Sequence, residues 1–465
     1  MSGELARRRL GAAAALTSLL ISASASGQER PAQKDPRYEE DWSALSSDTA
    51  TMSPDFFDGI KWISLGENAA LSLGGQLRER VEVWDGFAFG APTDDEETYF
   101  LTRIRVHSDL RIGENLRFFV EAKSAFSSDR DVFDGRKQVE SDTFDLQNGF
   151  VEWKPPSFEG VDWKVRLGRQ EMKFGKQRLV SPLEWGNARR TFDGGTIAAT
   201  FGKSSLTAFA LLPVRVRSYE RNDHVTGDWF YGLHGTHTLD PKGLKLEGYF
   251  YGRERETPAG DERRHTVGVL AMTPLGTSGF DLETEGAYQF GHIGSADISA
   301  GMVSSVLGYA PPGVRFAPRV WIGGDWASGD HEVGGDSALF DQLFPLGHAY
   351  FGYIDLVGRQ NVVAASTGIT VKPLPPLTAD LAFHYFRRAA RGSGAFNAGG
   401  AQYRPPVVGT ARELGEEIDF LTGYRFNAHL LINLGYSHIF PGKFIEQTGP
   451  SESVDFTYLQ LLFTI

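Results

Sequence analysis

The feature that most constrains the fold of this chain is the placement of charged residues at every second position of apolar segments. The clearest examples are the segments 77–83 and 100–110. Side chains alternate between the two faces of a β-strand, so each segment has one apolar face and one charged face. The charged residues are Arg78, Arg80, Glu82, Arg103, Arg105, His107 and Asp109. Two architectures explain this pattern: a soluble sandwich with its charges in water, or a transmembrane barrel with lipid outside and a polar lumen.

The alternation of short and long connections decides between the soluble sandwich and the transmembrane barrel. Eighteen segments show strand-like alternation, and short turns alternate with long polar loops between them, apart from an interruption at 292–296. The strand candidates are 70–84, 98–112, 115–127, 143–154, 161–174, 193–202, 205–214, 226–239, 244–254, 264–275, 280–291, 297–309, 316–328, 361–372, 377–388, 413–426, 428–440 and 454–465. This arrangement predicts an all-β fold: a transmembrane, antiparallel, up-and-down β-barrel of about eighteen strands, with short periplasmic turns and long extracellular loops.

The N-terminus has the pattern of a secretory signal. Basic residues at 7–9 precede an apolar stretch at 10–21 and small residues at 23–25. We therefore predict a signal peptide at 1–27, a polar and poorly ordered leader at 28–56, and the barrel at 57–465. The later sequence offers no run of about 18 apolar residues, so helical membrane spans are excluded.

Composition agrees with a bacterial barrel and excludes other classes. Glycine is abundant, with 54 residues among 465, as expected for a chain with many turns. The absence of cysteine excludes disulfides and thiol chemistry, and the net charge of −12 argues against nucleic-acid binding. The last strand carries Leu459, Leu461, Phe463 and Ile465 on one face, and it resembles the segment that barrel-insertion machinery recognises.

The charged faces are expected to line the lumen. An arginine facing lipid near the bilayer midplane costs roughly 2–4 kcal/mol, so four of them would cost on the order of 10 kcal/mol. By the same alternation Lys164 and Arg166 face inward on one side, and Arg319 and Arg425 on the other. Inward acidic residues are Glu82, Asp109, Glu121, Asp281, Glu283, Glu285, Glu417 and Asp419. Two interpretations stay open: a ladder of ion pairs that braces the wall, or a pathway that attracts anions.

One stretch carries a more specific signal. It contains V-R-L-G-R-Q-E at 165–171, G-K-Q-R-L at 175–179, W-G-N at 185–187 and R-T-F-D-G at 190–194. This order resembles the alginate-export family of outer-membrane porins. The strands at 77–82 and 102–106 look like the opening strands of that family, and A-S-G-D at 327–330 looks like a recurring strand end.

The resemblance spans roughly residues 60–465. It implies an eighteen-stranded barrel whose arginine-rich lumen passes an anionic uronate polymer. By position, the residues that match charged positions of the family motifs are Arg78, Arg80, Arg103, Arg105, Arg166, Arg169, Arg190 and Asp193. The family is broad, so the match does not establish alginate as the transported solute.

The motif region also permits two local interpretations. Arg178, Arg190 and Asp193 would hold the loop 175–192 inside the pore mouth as an ion-paired plug, or the loop would lie outside, held by one ion pair. Enzymatic signals are weak. His331-Glu332 lacks the second histidine of a zinc-protease motif, and Gly392-Ser393-Gly394 lacks the spacing of a nucleophile elbow.

The sequence therefore predicts an outer-membrane channel, without catalytic residues, metal or cofactor, that passes an anionic carbohydrate or carboxylate solute. The alternatives are a broad-specificity or small-carboxylate porin, and a secreted or outer-membrane enzyme acting on polysaccharide. The expected partners are outer-membrane lipid, the solute and periplasmic export components; nucleic acid is not among them, and the expected state is a monomer. The predicted pore-lining residues are Arg78, Arg80, Arg103, Arg105, Arg166, Arg169, Arg190, Asp193, Arg319 and Arg425.

Overall fold

A computed structural model describes residues 30–46, 53–91, 95–130, 139–239, 243–275 and 278–465. Within these residues, eighteen long antiparallel strands form the wall of a barrel. They are β1 Ala69–Asp85, β2 Glu97–Ile112, β3 Leu116–Ser127, β4 Asp142–Trp153, β5 Asp162–Gln170, β6 Phe192–Phe201, β7 Ser204–Arg215, β8 Trp229–Thr238, β9 Lys245–Thr257, β10 Gly260–Pro274, β11 Phe280–Ile293, β12 Ala296–Tyr309, β13 Arg319–Ala327, β14 Val362–Leu374, β15 Leu377–Arg388, β16 Glu413–Arg425, β17 Leu430–Pro441 and β18 Val454–Thr464.

Each strand pairs with its neighbours along the chain, and the first strand pairs with the last. On β1, Leu77 lies opposite Ile104 of β2 and also opposite Phe463 of β18. This pairing closes the sheet, so every described strand of the wall has a hydrogen-bonded neighbour on each side. The predicted antiparallel barrel of about eighteen strands is confirmed. Each of the eighteen candidate segments corresponds to one observed strand, including the segment 297–309.

Shorter elements lie at the two ends of the wall and within it. The α-helices are Asp58–Lys61, Phe87–Gly90 and Lys443–Thr448, and the 3-10 helices are Arg37–Glu39, Ser43–Ser46 and Gly347–Ala349. The short strands are Ile63–Ser64, Asp223–His224, Ala395–Phe396 and Gln402–Arg404. Within the described ranges, no helix is long and apolar enough to cross a membrane.

Two connections at the end with long loops are tight hairpins. The strand β9 continues to Thr257 and β10 begins at Gly260, although the sequence predicted a gap between 254 and 264. The interruption at 292–296 corresponds to the turn between Ile293 and Ala296. The predicted strand 161–174 also ends early, at Gln170, because the chain leaves the wall there.

The outer surface of the wall is apolar. The outward residues of β1 and β2 include Leu77, Val83, Phe100, Ile104 and Val106, whose exposed fractions range from 39% to 60%. By contrast, Arg103 and Arg105 on the opposite face are at most 1% exposed. Such alternation suits a barrel with hydrocarbon outside and polar groups inside.

Two long loops fill much of the interior. Residues 171–191 connect β5 to β6, and residues 328–361 connect β13 to β14. The two loops pair with each other through the Ser181 amide and the Phe344 carbonyl, at 2.9 Å. Trp185 of the first loop stacks on His348 of the second, with ring centroids 3.8 Å apart. The barrel is therefore a narrowed tube rather than an open cylinder.

Candidate functional site

A group of arginines on β1 and β2 contacts the loop 171–191 inside the barrel. Arg78 donates hydrogen bonds to the carbonyl oxygens of Glu184 at 2.9 Å and Gly186 at 3.1 Å. Arg103 donates to the same two carbonyls, each at 3.0 Å. Arg80 donates to the carbonyl of Trp185 at 3.0 Å, and its guanidinium lies 3.8 Å from the centre of the Trp185 ring. Backbone oxygens of the loop 171–191 thus accept hydrogen bonds from the wall arginines Arg78, Arg80 and Arg103.

Asn187 fixes this loop against the wall. Its side-chain amide donates to the carbonyls of Thr102 at 3.1 Å and Phe126 at 3.0 Å, on β2 and β3. The motif W-G-N therefore has a structural role here, because the asparagine sets the height at which the preceding carbonyls meet the arginines.

Arg105 lies two residues beyond Arg103 on β2, nearer the periplasmic mouth, and it pairs with carboxylates. It forms a two-point interaction with Glu121 of β3, at 3.0 and 3.1 Å. Its third contact, at 3.2 Å, is with Asp35 of the leader. Arg189 of the loop shares this carboxylate, with its Nη1 atom 2.8 Å from Oδ2 of Asp35, and pairs with Glu171 and Glu184.

We call Arg78, Arg80, Arg103, Arg105 and Arg189 the guanidinium cluster. Its charge is balanced by carboxylates of two kinds. Glu82, Glu121 and Glu171 belong to the wall or to its edge and are at most 3% exposed. The side chains of Asp35 and Glu184 come from the leader and the loop, and they are 31% and 38% exposed. The cluster thus has three enclosed acidic partners and two accessible ones.

The other predicted pore-lining residues of this side lie in separate ion pairs. Arg166 forms a two-point interaction with Glu152, at 3.1 and 2.7 Å. Arg169 pairs with Asp193 in the same manner, at 2.7 and 3.0 Å. Arg190 donates to the carbonyl of Ser181 at 3.0 Å, which is a contact within its own loop.

Arg319 and Arg425 lie apart from the guanidinium cluster. Arg319 pairs with Asp281 of β11, at 3.1 and 2.7 Å. Arg425 ends β16 and is exposed at the end of the barrel where the short turns lie. The structure thus brings together Arg78, Arg80, Arg103 and Arg105, but it does not bring the remaining six predicted residues to the same place.

The loop 171–191 lies inside the barrel, as in one of the two interpretations of the motif. Arg178 holds it to the wall through Glu283 at 2.6 Å and Glu285 at 3.1 Å. Burial alone would lower the pKa of Arg178, but Tyr350, Glu283 and Glu285 raise it above its usual value. Asp193 and Arg190 do not form the predicted plug contacts; Asp193 instead pairs with Arg169 in the wall.

Adjacent cavities lie beside the two inward loops. A cavity of about 690 Å³ is lined by Arg178, Glu283 and Arg319. A second, of about 620 Å³, is lined by Trp185, Tyr458 and Arg425. Tyr353 and Asp380 line both, so the two cavities are adjacent. A third cavity, of about 390 Å³, extends from Arg425 toward the leader.

Sequence reasoning missed Arg189, Glu171, Glu184 and Asp35. Asp35, Glu184 and Arg189 lie outside the segments with strand periodicity, and alternation was the argument that assigned an inward face. Glu171 lies within the predicted strand 161–174, but on the face opposite Arg166, which alternation assigned to the outside. The available signals were that Glu171 ends the quoted motif V-R-L-G-R-Q-E and that Arg189 precedes the quoted motif R-T-F-D-G by one residue. Within the described part of the chain, no three His, Asp or Glu side chains come together as a metal site.

Solved structures from Pseudomonas aeruginosa share this fold at low sequence identity. OpdL is 15% identical, with a TM-score of 0.57 over 85% of this chain and 98% of its own. OccK2 (OpdF), solved in complex with glucuronate, is 13% identical, with a TM-score of 0.57 and the same coverage. OpdK, solved with vanillate, is 10% identical, with a TM-score of 0.58 over 84% of this chain and 98% of its own. Among curated proteins, none matches this chain.

The sequence matches the family model described as alginate export over residues 69–458, which include all strands of the barrel wall except the last six residues of β18. The family and the closed barrel indicate a solute channel in the bacterial outer membrane. The resemblance found in the motifs is thereby confirmed. This protein belongs to the alginate-export family.

Proposed function

We propose that this outer-membrane channel passes an anionic solute, most naturally a uronate polysaccharide such as alginate, through its arginine-rich lumen. The observation that carries the proposal is the charge of the guanidinium cluster, whose five arginines outnumber the three carboxylates enclosed beside them. Five guanidinium groups face three enclosed carboxylates, those of Glu82, Glu121 and Glu171. Five positive charges less three negative charges leave two, and among the residues that the structure describes these are met only by Asp35 and Glu184, which are partly exposed.

The chemistry of the cluster suits carboxylates. A guanidinium group presents paired N–H donors whose spacing matches the two oxygens of a carboxylate. Alginate carries one carboxylate on each sugar ring, so neighbouring guanidinium groups can pair with the carboxylates of successive rings. Arginines that line a pore also raise the local concentration of anions.

Release of the solute is favoured by the mixed charge of the lumen. Arg166 and Arg319 are already paired with Glu152 and Asp281, at 2.7 Å each. A conducting pore needs sites that bind anions well enough to admit them and weakly enough to let them leave. Paired arginines beyond the cluster supply that weaker attraction.

Aromatic side chains beside the cluster support a carbohydrate solute. Trp185 and Tyr458 contact each other edge to face, with ring centroids 5.1 Å apart, and Tyr353 stacks on Tyr458 at 6.1 Å. All three line the cavity of about 620 Å³. Aromatic rings offer rigid apolar surfaces, and the apolar faces of sugar rings pack on such surfaces.

A second candidate is a porin for small carboxylates. It is favoured by the two loops that narrow the lumen and divide it into cavities of about 620 and 690 Å³. The structural neighbours solved with glucuronate and vanillate are consistent with this candidate. The two functions differ in whether an oligomer or a single carboxylate enters the cluster.

The test is ion selectivity of the purified protein in planar bilayers, followed by block with glucuronate and with an alginate hexasaccharide. We expect anion-selective channels that the hexasaccharide blocks at lower concentration than the monosaccharide. Block by the monosaccharide alone would favour the small-carboxylate porin. Cation selectivity would contradict the proposal for both solutes.

Three further parts of the proposal concern export and assembly. We propose that residues 1–27, which lie outside the described residues, act as the signal peptide. We also propose that the barrel works as a monomer and receives its solute from periplasmic export components. N-terminal sequencing of the mature protein tests the first point, and its mass in detergent tests the second.

A further inference from the structure

Residues 30–46 of the leader lie inside the periplasmic mouth of the barrel, although the sequence predicted a poorly ordered segment. Gln33 donates to the carbonyl of Thr464 at 3.1 Å, and Arg37 donates to the main-chain oxygen of Ile465. The Tyr38 hydroxyl donates to the carbonyl of Glu171 at 2.7 Å. The leader therefore contacts both the last strand and the base of the inward loop.

The aromatic ring of Tyr38 adds to this attachment. It packs edge to face on Phe119 and Phe150, with ring centroids 6.0 and 5.4 Å away. The guanidinium of Arg166 lies over it at 4.2 Å, and Arg117 donates to its carbonyl oxygen at 2.8 Å. These contacts hold the segment against β3, β4 and β5 and direct Asp35 toward the guanidinium cluster.

Asp35 bridges two arginines of different origin. One carboxylate oxygen accepts from Arg105 of the wall at 3.2 Å, and the other accepts from Arg189 of the loop at 2.8 Å. The main-chain oxygen of Asp35 accepts from Lys173 at 3.0 Å. Partial burial opposes ionisation, but Arg189, Arg105 and Arg103 outweigh it and hold the pKa of Asp35 well below its usual range. The carboxylate is thus charged at physiological pH.

We propose that Arg105 and Arg189 form a carboxylate-binding subsite of the pore, and that Asp35 is a resident competitor that closes it until a solute carboxylate takes its place. This inference rests on the proposed function, because only an anionic solute competes for that position. In the closed state, residues 30–46 obstruct the periplasmic mouth. When Asp35 leaves, the same two guanidinium groups receive the first uronate ring.

The partners of the two arginines make this exchange feasible. Arg105 keeps its two-point interaction with Glu121, and Arg189 keeps Glu171, whether or not Asp35 is present. Both glutamates are fully buried, whereas the Asp35 side chain is 31% exposed. Departure of Asp35 therefore leaves Arg105 with Glu121 and Arg189 with Glu171 and Glu184, and it frees the donor of Arg105 that Asp35 occupies.

The test compares Asp35→Asn with Asp41→Asn in planar bilayers. Both variants remove one negative charge from the same segment, but Asp41 pairs with Arg111, away from the cluster, and its side chain is 61% exposed. We expect Asp35→Asn to conduct for a larger fraction of time, and the alginate hexasaccharide to block it at about tenfold lower concentration, as expected for loss of one charge-assisted bond. Asp41→Asn and Asp35→Glu should behave as the wild type. Equal behaviour of Asp35→Asn and Asp41→Asn would overturn the inference.

A second measurement follows the segment directly. Arg37 is 2% exposed, so trypsin cleaves after it only when the segment leaves its place. The hexasaccharide should accelerate this cleavage in the wild-type protein, and Asp35→Asn should be cleaved rapidly without it. Unchanged cleavage in both cases would overturn the competitor role. If the wild type is anion-selective and blocked by the hexasaccharide but Asp35→Asn is unaltered, only this inference fails; a wild type without either property refutes the proposed function as well.

Discussion

Arg78 differs from its neighbours because its partners are neutral. Its four hydrogen bonds go to the carbonyls of Glu184, Trp185 and Gly186 and to the side-chain oxygen of Asn187, at 2.9 to 3.2 Å. Among the described residues, no carboxylate forms an ion pair with Arg78. Its charge therefore acts on the lumen, whereas the charge of Arg105 is largely compensated by Glu121.

This difference predicts the effect of Arg78→Gln. The substitution removes a positive charge and leaves no carboxylate without its partner, so the anion-to-cation permeability ratio should fall while the barrel stays folded. We expect a fall of about fivefold, equivalent to the roughly 1 kcal/mol between unit charges about 4 Å apart in water. Reversal potentials in a salt gradient measure the ratio.

The matched control is Arg263→Gln on β10. The side chain of Arg263 is 62% exposed and lies outside the guanidinium cluster. We expect its permeability ratio to equal that of the wild type. An equal loss of selectivity in both variants would mean that overall charge, and not the cluster, sets the preference for anions.

At the scale of elements, strand periodicity predicted the wall much better than the interior. The eighteen strands follow from period-two alternation, which directly reports a two-faced environment. The course of residues 171–191 does not follow, because Arg178 and Asn187 meet partners on strands far away in the sequence, such as Glu283 and the carbonyl of Thr102. A loop without periodicity has no comparable signal of direction.

The ordered conformation of the leader could not be predicted from the sequence either, for a related reason. Its composition is polar, and polar segments without periodicity are expected to be disordered. The order of residues 30–46 depends on contacts with the finished barrel, such as those of Gln33 with Thr464 and of Tyr38 with Glu171. Nothing local in the segment encodes these contacts.

The short helix Asp58–Lys61 leads to a prediction about pH. Lys61 is 1% exposed, its Nζ atom lies 4.0 Å from Glu40, and burial lowers its pKa to about 8. A base with a lowered pKa holds its proton more tightly in the unfolded chain, so stability rises with pH between the folded and the unfolded pKa. The stability contributed at Lys61 should therefore increase from pH 8 to about 10.5.

Lys61→Met tests this prediction. At pH 7 the variant should be more stable than the wild type by about 3 kcal/mol, the value of a shift of about 2.5 pKa units. The difference should shrink as the pH rises through 8 toward 10, because the wild-type lysine then loses its proton. Urea unfolding in detergent at each pH measures it. If the free energies of unfolding of the two proteins change with pH in parallel, the assignment of the titration to Lys61 is refuted.

At the scale of the whole molecule, the apolar outer face sets how the barrel sits in the bilayer. Ile104 lies near the middle of β2, and Ile112 ends the strand at the periplasmic side; both are 41% exposed. An arginine costs roughly 2–4 kcal/mol at the midplane and about 0–1 kcal/mol near the interface. Ile104→Arg should therefore lower the free energy of unfolding in lipid vesicles by roughly 2–4 kcal/mol.

Ile112→Arg serves as the control, because it introduces the same side chain at an equally exposed position near the membrane surface. Its stability should differ from the wild type by about 1 kcal/mol or less. If both variants lose stability equally, the barrel does not sit at the height that the strand bounds imply. In detergent micelles without a defined midplane, the difference between the two should become smaller.

The attachment of the leader also dictates an order of events during biogenesis. Two of its anchors, Thr464 and Ile465, lie at the end of β18, and β18 must join β1 before those anchors stand beside Gln33 and Arg37. The leader, which precedes the wall in the sequence, therefore finds its place only after the sheet has closed. If residues 30–46 obstruct the periplasmic mouth as we propose, a newly inserted barrel is expected to be more permeable to anions before the leader reaches its place than afterwards.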